Sequence, residues 1–250
     1  MNRQKRAAAI HDISCFGKCS LTVALPILSA AGIEAAVIPT AVLSTHTGGF
    51  ADFTYRDLTA DLRPIMAHWK RLGLQFDAVY SGYLGSFEQV SIVRDFIGTF
   101  RSEGTLVLVD PAMADGGKLY KTFDPPFVEE MKSLCMHADL IVPNITEAAM
   151  LTGETYREGP YDKAYIERLL HGLLLLGAKQ AVLTGVWFDE KQYGAASLTL
   201  GDHAPHYIFS PKVEGFYHGT GDVFASALLA ARMRGRSLEE SARCLLYTSP

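Results

Sequence analysis

Four cysteines in 250 residues leave little room for a disulfide framework, and Cys15, Cys19, Cys135 and Cys244 lack the paired spacing of a zinc site. Reduced thiols are expected, with a reactive role for Cys15 or Cys19 left open. No apolar run approaches the ~20 uninterrupted residues that cross a bilayer, and Ala7–Ile10 is too short for a signal-peptide core before the polar His11-Asp12. A cytoplasmic protein is expected. Basic residues do not cluster beyond Arg3–Arg6, and a net charge of −4 with interspersed signs excludes a broad cationic surface for nucleic acid. Internal repeats, Pro-rich linkers and low-complexity tracts are also missing. One domain over residues 1–250 follows, and 48% hydrophobic residues suffice for a sizeable core.

What is present is a regular alternation. Short apolar or β-branched runs at Ala8–His11, Ala35–Thr40, Ala78–Tyr80, Leu106–Asp110, Leu140–Pro143 and Gln180–Thr184 read as buried strands. Between them Ser20–Ala31, Leu58–Leu72, Phe87–Arg101, Pro126–His137, Thr146–Thr152 and Tyr161–Leu176 carry apolar residues at helical spacing. Gly32, Gly73, Gly104, Gly153 and Gly177 stand where those helices would stop. The pattern predicts an α/β fold: a doubly wound, mostly parallel central sheet flanked by helices. Tyr193–Leu200 and His206–Ser210, joined by Gly201-Asp202-His203, add a late antiparallel edge. In such sheets ligands bind beyond the carboxyl ends of the strands, so the chemistry is sought in those loops.

The most informative segment is Gly219-Thr220-Gly221-Asp222, which runs directly into the apolar, Ala-rich Val223–Ala230. Glycines there allow close backbone approach, and the free amides of a helix start favour an anion such as phosphate. Asp222 would repel phosphate, so it needs another purpose: a helix cap, or a base that takes the proton of an attacking hydroxyl.

This segment resembles the signature of the ribokinase-like (PfkB-type) small-molecule kinases, in which the motif's acid is the catalytic base and its amides form an anion hole. By that resemblance Asp222 is the base, and Gly219, Thr220 and Gly221 hold the phosphoryl group. Three further segments resemble the pyridoxal/pyridoxamine kinase branch: Leu43-Ser44-Thr45-His46-Thr47-Gly48-Gly49, Val109 to Tyr120 beginning Val-Asp-Pro, and Val142-Pro143-Asn144-Ile145-Thr146-Glu147-Ala148. The match covers most of residues 8 to 231. It implies ATP as phosphoryl donor, Mg²⁺, a monovalent cation such as K⁺, and a homodimer by analogy. Asp110, Asn144, Glu147 and Thr184 are the implied nucleotide-side residues. Asp110, Asp115 and Glu147 are implied at the metal, directly or through water. Local alternatives stand beside these roles: Asp110-Pro111 ends a strand, Asp115-Gly116-Gly117 makes a turn, and Thr146 and Glu147 cap a helix.

On the substrate side the resemblance marks His46, Thr47 and Tyr83, the last able to stack a flat ring. Core packing for Tyr83 and an ordinary loop role for His46 are the alternatives. The first strand departs from the branch's pattern, because Asp12 stands where a serine is usual. An acid there suits a cationic group such as the aminomethyl of pyridoxamine. Residues 48–55 are expected to contribute to a flap over the substrate.

The implied activity is phosphorylation of the 5′-hydroxymethyl group of a B6 vitamer: pyridoxal, pyridoxamine or pyridoxine. Two other readings stay open, a hydroxymethylpyrimidine kinase of thiamin synthesis and a ligand-binding member without turnover. The second arises because Arg236–Leu246 begins as an amphipathic helix but the chain ends abruptly at Tyr247-Thr248-Ser249-Pro250, which suggests a truncated C-terminus.

Overall fold

A computed structural model describes residues 3–213, 215 and 217–246, with the backbone alone for 244–246. The expected ending at Tyr247–Pro250 and the thiol of Cys244 therefore lie outside the described residues. In chain order the strands are β1 (Arg6–Ser14), β2 (Glu34–Leu43), β3 (Tyr55–Asp57), β4 (Ala78–Ser81), β5 (Leu106–Val109), β6 (Ala114–Asp115), β7 (Lys118–Leu119), β8 (Leu140–Ile141), β9 (Gln180–Val186), β10 (Gln192–Thr199) and β11 (His206–Pro211). Nine of them form one sheet in the order β11-β10-β9-β8-β5-β4-β1-β2-β3, while β6 and β7 pair as a separate hairpin.

The middle strands are parallel, as the βαβ alternation requires. β5 is Leu-Val-Leu-Val, and three of its four residues are buried, because helices cover both faces. One helical layer is α1 (Leu21–Ala30), α7 (Thr220–Met233) and α8 (Leu238–Leu246); the other is α2 (Thr59–Arg71), α3 (Phe87–Phe100), α4 (Pro125–Cys135), α5 (Ile145–Thr152) and α6 (Lys163–Leu175). Helix starts follow local chemistry: Ser86 and Asp162 accept the third amide of α3 and α6 at 3.2 and 2.7 Å. Gly153, at φ 76°, ends α5 in the left-handed region where an L side chain is strained.

The predicted doubly wound sheet and its late antiparallel edge are present, with β10 antiparallel to both β9 and β11. Two features depart from expectation. β3 adds a second antiparallel edge beside β2, and the β6–β7 hairpin occupies what reads in sequence as a turn. Both are too short, and β3 too exposed, to leave a hydrophobic alternation.

β1 pairs with β2 on one side and β4 on the other, so the winding reverses at β1. A crevice at the carboxyl ends of β1 and β4 is the ligand position this topology creates.

Candidate active site

The start of α7 lies beside that crevice. Gly219 is its N-cap, in the left-handed region at φ 77°. A methyl at Gly219 would stand 2.2 Å from the carbonyl oxygen of Lys18, so only glycine fits. Gly221 differs: an added Cβ would meet nothing within 4 Å, so its missing side chain leaves the first-turn amides open to solvent. Thr220 donates its hydroxyl to the carbonyl of Tyr217 at 3.3 Å. These three residues form the start of α7, where a helix presents amides without intrahelical partners.

Asp222 is not the cap of its helix; its carboxylate reaches across to accept the backbone N–H of Ser20 at 2.9 Å. Burial pushes its pKa up to about 6, with the Ser20 bond opposing the shift and the charge of Asp12 adding to it. A carboxylate titrating there is ionised at neutral pH yet basic enough to take a hydroxyl proton.

Asp12 owes its aim to a β-bulge: the β1–β2 register slips between His11 and Ile13. Its two oxygens accept the hydroxyls of Ser20 at 2.5 Å and Ser14 at 3.1 Å. Burial raises its pKa, and those two bonds oppose the rise. Ser20, which precedes α1 and bonds both acids, is the residue of this cluster that sequence reasoning missed. Its φ of 54° is unusual for a non-glycine, and its hydroxyl caps nothing on α1, having turned to Asp12. A serine before an apolar run reads as an ordinary N-cap, which hid it.

His46 is 8% exposed and accepts the N–H of Gly48 on Nδ1 at 3.1 Å, which leaves the ring proton on Nε2. Its ring lies 4.5 Å from that of His218 and 4.9 Å from Phe50, so the loop after β2 touches the segment before α7. Burial, then the proximity of His218, lowers its pKa, which favours the neutral ring. Thr47 is exposed. Tyr83 is half-buried, 5.6 Å from the Phe123 ring, with its hydroxyl 3.4 Å from Thr122. Burial raises its pKa, the Thr122 hydroxyl opposes the rise, and the charge of Asp12 adds to it.

Beyond β8, Asn144 is the N-cap of α5 and forms a capping box with Glu147. Asn144 also donates Nδ2 to the carbonyl of Ala114 at 2.8 Å and bridges to Thr184 at the ends of β8 and β9. Glu147, 3% exposed, accepts from the amides of Asn144 at 2.9 Å and Met113 at 3.1 Å. Burial pushes its pKa up to about 8 against those amide bonds. Asp110 is raised well above the carboxylate range by burial, then by Glu147 and Asp222. Asp115 is exposed and turns back to the amide of Gly116 at 2.8 Å.

Among the described residues no three His, Cys, Asp or Glu side chains gather to hold a metal ion. The local roles read from the sequence are present for two of the residues implied at the metal: Glu147 accepts backbone amides on both oxygens, and Asp115 closes its own turn.

A family model described as phosphomethylpyrimidine kinase matches residues 25–244. A candidate phosphomethylpyrimidine kinase from Bacteroides thetaiotaomicron VPI-5482, in an orthorhombic crystal form with pyridoxal, has a TM-score of 0.93 at 38% identity, covering 98% of this chain and 86% of that one. A pyridoxal kinase from Lactobacillus plantarum has a TM-score of 0.88 at 34% identity, covering 98% and 86%. A candidate pyridoxal kinase from Schizosaccharomyces pombe is 26% identical over 206 residues, which is 79% of this chain but 58% of that relative's length. The fold is that of the ribokinase-like kinases. The chain belongs to the phosphomethylpyrimidine kinase family, and within it resembles the pyridoxal kinases.

Proposed function

We propose that this protein transfers the γ-phosphoryl group of ATP to the 5′-hydroxymethyl group of a vitamin B6 vitamer: pyridoxal, pyridoxamine or pyridoxine. The observation that carries the reading is the Ser20 bridge, whose N–H holds Asp222 and whose hydroxyl holds Asp12. It sets a base and a ring-facing acid at one crevice, beside an open amide cradle. Asp222 takes the proton of the hydroxymethyl O–H, and the freed oxygen pair forms the new bond to the γ-phosphorus. The bond from that phosphorus to the β-phosphate bridging oxygen breaks, and ADP leaves with that pair. The amides of Thr220, Gly221 and Asp222 stabilise charge on the phosphoryl oxygens. Asn144 and Thr184 face the nucleotide, His46 donates from Nε2, and Tyr83 presents its ring to the pyridine. Thr47, exposed on the same loop as His46, is the candidate to close over the substrate.

Mg²⁺ is expected to enter with the nucleotide, held by phosphate oxygens and water, as this cation prefers, with Asp110 facing that shell. A K⁺ requirement, a homodimer and a cytosolic location belong to the same proposal. Among the described residues no helix is long and apolar enough to cross a membrane.

The second reading, phosphorylation of hydroxymethylpyrimidine, is favoured by the description of the matching family. ADP release measured with Mg-ATP and each of pyridoxal, pyridoxamine, pyridoxine and hydroxymethylpyrimidine separates the two. Turnover of a B6 vitamer that disappears in Asp222→Asn is the expected result. Turnover of the pyrimidine alone, or of none of the four, overturns it.

A further inference from the structure

The sheet face that α7 and α8 cover carries Val182, Ala195 and Ile208 in its apolar core, one from each of β9, β10 and β11. Towards the amino end of β9 the same face turns polar. Ser197 pairs with Val182 on one side and with His206 on the other, and Thr199 pairs with Gln180. Arg232, in the last turn of α7, and Ser237, just before α8, stand over these residues, and together they line a cavity of about 300 Å³. Arg232 follows Thr220 along α7, so roughly 18 Å of helix separates the cavity from the proposed phosphate site.

The guanidinium of Arg232 is held in place without being neutralised. It donates Nη2 to Oε1 of Gln180 at 3.2 Å and Nη1 to the carbonyl of Arg236, both uncharged acceptors. Its buried Nε–H has no partner, and among the described residues Arg232 forms no ion pair. The two carboxylates at the cavity are engaged already. Asp202 accepts the amide of Thr199 at 3.3 Å, while Glu239 pairs with Arg243 at 2.7 Å and lies 3.6 Å from His206. Ser197 is 1% exposed, and its hydroxyl also lacks a partner. A buried donor left unsatisfied costs stability, whereas an alanine at this inward position of β10 would carry no such cost. We propose that the cavity is a second ligand site, which takes a small oxyanion, a phosphate or a carboxylate, with Nε of Arg232 and Oγ of Ser197 as its donors. A guanidinium suits that class because its charge is permanent and its planar N–H groups match oxyanion geometry. The site stands apart from the kinase reading and does not depend on it.

The test follows the Nε–H signal of Arg232 in the ¹⁵N-labelled full chain during separate titrations with sodium phosphate and sodium acetate at constant pH and ionic strength. The signal is identified by its loss in Arg232→Lys, or through its covalent neighbours in ¹³C,¹⁵N-labelled protein should that variant fold poorly. Because the readout is this one side chain, phosphate bound at the start of α7 does not stand in for it. The expected result is a shift that saturates with at least one of the two anions, and the one that saturates at the lower concentration distinguishes phosphate from carboxylate. Ser197→Ala should keep the melting temperature of the parent and raise the titration midpoint about tenfold, the size of one hydrogen bond to a charged group. A signal that neither anion moves up to about 10 mM, tenfold above a millimolar Kd, overturns the proposal. A shift that grows without saturating overturns it too, as do equal midpoints in the parent and Ser197→Ala.

Discussion

Ser20 donates its backbone N–H to the carboxylate of Asp222 at 2.9 Å, although 202 residues separate them. The bond opposes the rise that burial imposes on Asp222 and leaves it at about 6. Because the base works only when ionised, kcat/KM should climb with pH through about 6 and level off above it. Asp222→Asn should lower kcat by about 10²-fold or more. The folded pKa lies above the unfolded value, so Asp222 favours the native state at low pH and loses that contribution as pH rises through 6. Chemical denaturation above neutral pH should therefore find Asp222→Asn more stable than the parent, by roughly 1 kcal/mol after discounting for solvent screening.

Glu147 gives a second pH signature, in stability. Its pKa is pushed from an ordinary 4.5 to about 8, so the native state binds the extra proton between those values. Urea midpoints should fall as pH rises from 5 towards 8, and Glu147→Gln should flatten that slope. The same variant removes one acceptor from a buried pair of amide bonds and should cost about 1–3 kcal/mol at low pH. A slope unchanged in Glu147→Gln would assign the pH dependence elsewhere.

The two glycines of the phosphate cradle should separate folding from chemistry. Gly219→Ala forces a methyl to 2.2 Å from a carbonyl oxygen at φ 77°, and should lose both stability and activity. Gly221→Ala meets open space inside the helix, so its melting temperature should hold or rise by the ~0.5–1 kcal/mol that alanine contributes over glycine. A methyl at the proposed phosphate site should crowd the nucleotide, so KM for ATP should rise. Differential scanning calorimetry beside steady-state kinetics distinguishes them.

Asp12 should govern vitamer choice. With Ser14 and Ser20 holding its two oxygens, Asp12→Ser should shift the pyridoxamine-to-pyridoxal ratio of kcat/KM towards pyridoxal by about tenfold, the worth of one charge-assisted contact. An unchanged ratio would remove Asp12 from substrate recognition.

The strands, the helices and the helix start after Gly219 were legible because each depends on local rules: apolar periodicity, glycine at helix ends, and a Gly-Thr-Gly-Asp run before a helix. What escaped depends on contacts far apart in the chain. The bulge that aims Asp12 is a slip between β1 and β2, and the role of Ser20 exists only once α7 has packed beside it. Glu147 was ambiguous for the opposite reason, since it reads locally as a helix-start residue and by resemblance as a metal-side acid, and its capping box with Asn144 shows the local part.

The switch-point strand carries one more consequence. β1 is synthesised first yet lies inside the sheet, and its acid is joined through Ser20 to a carboxylate on a helix that emerges some two hundred residues later. A ribosome-bound chain that has completed the strands still lacks the proposed base, so the proposed phosphoryl transfer cannot begin before α7 docks. Non-local closure of this kind slows folding, and activity should be the last property to return during refolding.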